Sequence, residues 1–213
     1  MKCLDLFSGL AGFSEAFLTR GHEVTRYDIN PRFKDVPNTI IRDVLTLKPK
    51  ELQGADIILA SPECRCFSVA ADHYHWPKGI PTEETRQQIA LVRKTVEMIK
   101  KANPRFWILE NPVGRMRRVL GQPAMTTAWC AWGTPYKKPT DLRGVLPPID
   151  WKMTFKWEPN PSGGAGNQCK IANDPYPRDP AKRALIPYEF SLAVCLAAEG
   201  NSLQTTLTRP EVI

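Results

Sequence analysis

The stretch Lys2-Cys3-Leu4-Asp5-Leu6-Phe7-Ser8-Gly9-Leu10-Ala11-Gly12 decides the fold. A short apolar run over residues 2–7 reads as a buried strand, and a loop of small residues follows it directly. A helix over residues 14–20 then closes at Gly21. The same rhythm continues with strands over residues 23–28, 39–42, 56–60, 105–109 and 126–132. The clearest helix spans residues 82–102: Thr82 caps it, Glu83 and Glu84 open it, and Lys100 and Lys101 close it. Ile89, Val92, Val96 and Ile99 recur at helical spacing and give it one buried face. Strands alternating with helices predict an α/β fold built on a doubly wound, mostly parallel sheet.

Composition narrows the function classes. The chain has 213 residues, 42% hydrophobic and 24% charged, which is ordinary for a globular protein and argues against disorder. No apolar run is long enough to span a membrane, and Asp5 interrupts the apolar start of the chain, so neither a membrane nor a secreted protein is expected. A net charge of +7 fits a polyanionic partner, although charge alone leaves an ordinary basic enzyme equally open. Six cysteines without a Cys-x-x-Cys pair read as reduced thiols of a cytoplasmic protein. Cys3, Cys195, Trp129 and Trp132 fall on apolar faces and are expected in the core. A monomer is expected.

After Gly133 the texture changes to a proline-rich stretch with a glycine-rich loop at residues 162–166. The chain therefore divides into a main unit at 1–142, an irregular insertion at 143–180, a closing helix at 181–199 and a tail at 200–213.

Ligands of open parallel sheets bind beyond the carboxyl ends of the strands, and here those ends are chemically loaded. Gly9 and Gly12 let backbone approach a ligand closely, while Asp28 at the end of the second strand suits ribose hydroxyls. A plain turn is the competing reading of both. Ser61-Pro62-Glu63-Cys64-Arg65-Cys66-Phe67-Ser68 places Cys64 on a loop above the sheet, with Arg65 placed to favour its thiolate. Glu110 ends the fifth strand. A cysteine and a glutamate without a suitably placed histidine suit nucleophilic addition to a ring that needs a proton on nitrogen. Cys64, Cys66, His73 and His75 could be read as a zinc set, but the one-residue gaps are too tight, so no metal is expected. His73, Tyr74 and Trp76 read either as a loop that closes over a substrate or as plain surface.

Four of these segments resemble, in order, motifs of the cytosine-C5 DNA methyltransferases. Asp5-Leu6-Phe7-Ser8-Gly9-Leu10-Ala11-Gly12-Phe13-Ser14 looks like the family's first motif. Pro62-Glu63-Cys64-Arg65-Cys66-Phe67-Ser68 is similar to its Pro-Pro-Cys-Gln-x-Phe-Ser motif, with Glu63 and Arg65 as departures. Glu110-Asn111-Pro112 resembles its Glu-Asn-Val motif, and Asp43 matches its adenine-contacting acid. Lys138 stands where the family has a supporting arginine, and small phage-type members look similar.

The resemblance implies methyl transfer from S-adenosyl-L-methionine to cytosine C5 of DNA through a covalent Cys64–C6 adduct. Glu110, Asn111 and Lys138 would assist. Phe7, Ser8, Gly9, Leu10, Gly12, Asp28, Ile29, Asp43, Val44 and Pro62 would hold the cofactor. Arg65, Ser68, Arg115, Arg117, Arg118, Lys137 and Arg143 would contact DNA, double-stranded with a flipped cytosine or single-stranded. The insertion at 143–180 would be a reduced target-recognition region, with Arg143, Lys152, Lys156, Asn167, Gln168, Lys170 and Arg178 as base readers. So few readers imply a short site and salt-sensitive binding. An inactive DNA-binding module and a C5 methyltransferase of RNA or free cytosine nucleotide are the alternatives.

Overall fold

In the computed structural model, which describes residues 1–149, 177 and 179–200, β1 (Lys2–Leu6) is an interior strand of a seven-stranded sheet. On one side it pairs in parallel with β2 (Glu23–Asp28), which pairs in parallel with β3 (Thr39–Ile41). On the other it pairs with β4 (Ile57–Ala60), which pairs with β5 (Phe106–Pro112), both in parallel. β6 (Met125–Ala128) forms the edge, and β7 (Pro139–Val145) runs antiparallel between β5 and β6. The order β3-β2-β1-β4-β5-β7-β6 reverses at β1, as a doubly wound sheet does.

Seven α-helices form among the described residues: α1 (Glu15–Thr19), α2 (Pro49–Leu52), α3 (Asp72–His75), α4 (Glu83–Ala102), α5 (Met116–Leu120), α6 (Pro180–Ala184) and α7 (Tyr188–Glu199), the last two in place of the single closing helix expected at 181–199. Side-chain alternation along the strands feeds two cores. Cys3, Ile57, Leu59 and Ile108 face α1 (Glu15–Thr19) and α7 (Tyr188–Glu199), where Phe17, Phe190, Val194 and Trp129 fill the layer. Leu4, Leu6, Ile58 and Leu109 face α4 (Glu83–Ala102), meeting Val92, Met98 and Ile99. Both faces of Ile57–Ala60 are fully covered, as buried parallel strands require. The expected cap of α4 is present, Thr82 accepting from the Thr85 amide. Its buried face is turned slightly from the expected one, with Thr85, Thr95 and Met98 inside and Ile89 and Val96 only partly so. Cys3, Cys195, Trp129 and Trp132 are buried as expected.

Three expectations need correction. β7 crosses the boundary placed at residue 143, so residues 143–145 belong to the sheet and not to an insertion. Asp141 and Arg143 on this strand are buried against each other, 3.4 Å apart. The sixth strand stops at Ala128, because Trp129–Trp132 winds into a 3-10 turn. Cys130 is disulfide-bonded rather than reduced, and its partner lies outside the described residues; Cys3, Cys64, Cys66 and Cys195 are free thiols. The base readers Lys152, Lys156, Asn167, Gln168, Lys170 and Arg178 and the tail beyond residue 200 also lie outside the described residues. No helix among those described is long and apolar enough to cross a membrane.

A buried polar chain fixes the loop after β1. Ser14 Oγ donates to Asp5 at 2.6 Å and accepts from Arg26 Nε at 2.9 Å. Arg26 also reaches Glu15 and the Pro37 carbonyl, so a fully buried guanidinium is satisfied on three sides. Burial pushes the Asp5 carboxyl up to about 7, against the opposing Ser14 hydrogen bond and the Arg26 charge. A carboxyl raised on folding binds its proton more tightly in the native state, so its ionisation costs stability as pH climbs from the ordinary carboxylate range toward 7. Thermal melts between pH 4 and pH 8 should therefore show a falling stability that Asp5→Asn flattens. Identical pH profiles for the two proteins would show that Asp5 is not the titrating group.

Candidate active site

The loops leaving β1, β2, β4 and β5 gather at one edge of the sheet. The first is strained: Phe7, Gly9 and Ala11 all have positive φ, two of them not glycine. Its position is fixed by the Asp28 carboxylate, which accepts from the Gly9 amide at 2.9 Å and from the Asn30 amide at 2.8 Å. Space beside Gly9 is open, with nothing within 4 Å of where a Cβ would stand. Gly12 is different, since a Cβ there would lie 2.4 Å from the Ile186 carbonyl. That glycine admits the segment before α7.

Apolar surface and acids alternate along the same edge. Ile29 is 64% exposed, and Leu10 and Leu45 are also open. Asp43 Oδ1 accepts from the Leu45 amide, capping the 3-10 turn Val44–Thr46. Val44 itself is buried beneath. Ser8 is buried, and its Oγ has no hydrogen-bond partner among the described residues.

The Cys64 loop is held from two directions. Its own carbonyl accepts from the amides of Phe67 and Ser68, both at 2.9 Å, which makes a tight turn. Asn111 Nδ2 then donates to the Pro62 carbonyl at 3.2 Å, tying the loop to β5. Pro62 is buried. Beyond β5, Ser68 bridges Gly114, and the Arg115 amide donates to Phe67 O at 2.8 Å. A Cβ on Gly114 would fall 2.2 Å from that carbonyl, so only glycine allows the approach.

Three ionisable groups meet at this edge. Cys64 is a free, half-buried thiol; Glu110 and Lys138 are buried, with Lys138 Nζ 3.8 Å from Glu110 Oε1. Burial pushes the Cys64 thiol up; the Lys138 charge pulls it back and the Glu110 carboxylate adds to the rise. Burial likewise raises Glu110, with Lys138 opposing. Lys138 also donates to the Arg183 carbonyl at 3.2 Å and lies over the Trp129 ring. Glu110 Oε1 and Asn111 Oδ1 have no hydrogen-bond partner among the described residues, although both are buried. Such groups are costly unless a ligand satisfies them.

The cation acting on Cys64 is thus Lys138 and not Arg65, which is spent on Glu84 and Glu63. The expected DNA-contacting set is also redistributed. Arg115 is paired with Asp72, and Arg117 makes a two-point pair with Asp141. Arg143 is 5% exposed and donates to the Gly121 carbonyl, so it contributes to the sheet rather than to a surface. Arg118 is exposed and Lys137 half-buried. The Asn111 amide nitrogen is committed to the loop, and its Oδ1 has no hydrogen-bond partner among the described residues. Asp5, quoted above only as part of the first motif, and Gly114, which belongs to none of the motifs, are two structural supports. A glycine three residues after Glu-Asn was the available signal for one of them.

Residues 1–118 match the profile of the family described as C-5 cytosine-specific DNA methylase. A frog virus 3 protein named as a probable DNA (cytosine-5)-methyltransferase is 29% identical over 77% of this chain and 82% of its own length. The type II methyltransferase M1.HphI of Haemophilus parahaemolyticus is 26% identical over 51% of this chain and 31% of its own. M.NgoBI of Neisseria gonorrhoeae is 28% identical over 52% of this chain and 34% of its own. The chain thus spans most of the viral relative and about a third of the two bacterial ones. The matched region contains the strained first loop, the Cys64 loop and the Glu110 strand end, and by it the chain belongs to the C-5 cytosine-specific DNA methylases.

Proposed function

We propose that this chain methylates C5 of cytosine in DNA, using S-adenosyl-L-methionine. The observation that supports it best is a free, half-buried thiol set with a buried glutamate and a buried lysine where two parallel strands end. The edge near β1 and β2 fits the cofactor. Gly9 leaves backbone open, Asp28 and Asp43 keep unused lone pairs, and Ile29, Leu10 and Leu45 offer apolar surface for an adenine ring. When bound, the cofactor supplies an electrophilic methyl group.

The protein's own groups prepare the base. The Cys64 sulfur adds as thiolate to C6, and Glu110 presents a proton or hydrogen bond to N3, so that electron density gathers at C5. A carboxyl raised by burial suits that duty. Loss of the C5 proton later expels Cys64 and restores the ring. Lys138 holds Glu110 in place and favours the thiolate, while Asn111 fixes the loop that bears it. Because C5 and C6 are enclosed in a stacked duplex, the cytosine must be flipped out or single-stranded.

Incubation with methyl-labelled cofactor and, separately, DNA, tRNA and dCMP tests the reading. Label is expected in DNA; label in RNA or nucleotide alone would move the substrate, and none anywhere would leave only a binding module. Cys64→Ala is expected to abolish turnover while leaving the melting temperature and cofactor affinity intact, and Cys66→Ala to be far milder. The reverse pattern would show that the nucleophile was misplaced. Asp28→Ala should weaken cofactor binding by about 1.5–3 kcal/mol, through lost charge-assisted hydrogen bonds. Asp43→Ala should weaken it as well. Unchanged calorimetric affinity in both variants would remove the cofactor assignment.

A further inference from the structure

Beside the nucleophile loop, three side chains that methyl transfer does not use come together. Cys66 Sγ lies 3.6 Å from His75 Nδ1, which lies 3.7 Å from Glu84 Oε2. One ligand atom from each falls within 4.8 Å of the others. Tetrahedral zinc with bonds of about 2.0–2.3 Å sets its ligand atoms about 3.3–3.8 Å apart. The two closest separations already match that spacing.

The cluster joins three segments of chain. Cys66 comes from the nucleophile loop, His75 ends the short helix α3 (Asp72–His75), and Glu84 lies in the first turn of α4. Its backbone is fixed independently: Trp76 Nε1 donates to Cys66 O at 2.7 Å, and the Thr82 amide and Thr85 Oγ1 both donate to His75 O, at 3.0 and 3.1 Å. Cys66 and His75 are buried, whereas the Glu84 side chain is 43% exposed and leaves a path from solvent. Arg65 now pairs with Glu84, but it is itself 57% exposed, and such pairs are worth little and exchange readily. A second trio, His22, Cys195 and Glu199, is already closed by a two-point Arg20–Glu199 pair.

We propose that Cys66, His75 and Glu84 bind a divalent cation of the zinc type, with the fourth position open to solvent. The bound ion ties the loop bearing Cys64 to the start of α4. On binding, the Cys66 S–H bond breaks, its proton goes to solvent, and a sulfur–metal bond forms. His75 gives the Nδ1 lone pair as neutral imidazole, Glu84 gives a carboxylate oxygen, and no electron is transferred. Thiolate with imidazole selects zinc over magnesium or calcium, which take oxygen ligands.

Titration of the whole chain with Co2+ alone, followed by optical absorption, tests the site. One equivalent is expected, with a thiolate-to-cobalt charge-transfer band, intense four-coordinate d–d bands, and displacement by Zn2+. Cys66→Ser should remove the charge-transfer band, and Cys64→Ser should leave it. Glu84→Ala, at an exposed position, should weaken Co2+ binding about tenfold or more. If Cys66→Ser fails to fold, the Glu84→Ala affinity decides by itself. No band in the native protein, a band that survives Cys66→Ser or vanishes in Cys64→Ser, or unchanged affinity in Glu84→Ala overturns the proposal.

Discussion

The site depends on how closely the loop after β4 can lie on the chain leaving β5. Parallel pairing aligns Ala60 with Leu109, which brings the two strand ends level but leaves the loops beyond them unfixed. Contact between backbones completes the alignment. Gly114 lies against the Phe67 carbonyl, the Arg115 amide bonds the same oxygen, and Asn111 bonds Pro62 O. Any side chain at residue 114 would push the loop off, and Cys64 would move relative to Glu110. The close approach of the Phe67 carbonyl to Gly114 thus helps to place the Cys64 loop against β5.

Charge at this edge is arranged with equal economy. Lys138 reaches Glu110 because β7 runs antiparallel to β5, so the start of one strand lies beside the end of the other. The same reversal places Asp141 and Arg143 inside the sheet, where either charge alone would be costly to desolvate. Arg117, reaching in from α5 (Met116–Leu120), shares Asp141 with Arg143 and completes the pairing. Arginines that a sequence reading assigns to a phosphate surface are therefore used to make a charged strand tolerable in the interior. Glu110 Oε1 and Asn111 Oδ1 are left without a hydrogen bond among the described residues, although the Lys138 charge stands 3.8 Å from Glu110 Oε1.

Much of this was legible in the residues. Alternating strands and helices, the cap of α4, the small-residue loop at residues 7–12 and the Cys64 and Glu110 strand ends are local patterns. Period-two and helical spacing, capping chemistry and loop composition act over a few residues, so they survive in the sequence. Asp28 ends β2, Asp43 and Cys64 follow β3 and β4, and Glu110 lies in β5 two residues before its end, because that strand runs on past the expected 105–109.

What required tertiary structure were the contacts between segments distant in sequence. That Gly12 receives Ile186, that Cys130 is disulfide-bonded, and that Arg65 turns to Glu84 follow from packing and not from neighbours. The strand Pro139–Val145 was hidden because its charged residues look exposed until Arg117 arrives from α5 to pair with them. Sequence spacing groups Cys66 and His75 with Cys64 and His73, whereas the fold brings them together with Glu84 from the next helix. Local periodicity fixes which elements form and in what order. Which side chains then share a desolvated space is set by the folded chain as a whole, because burial and charge pairing exist only once distant strands have met.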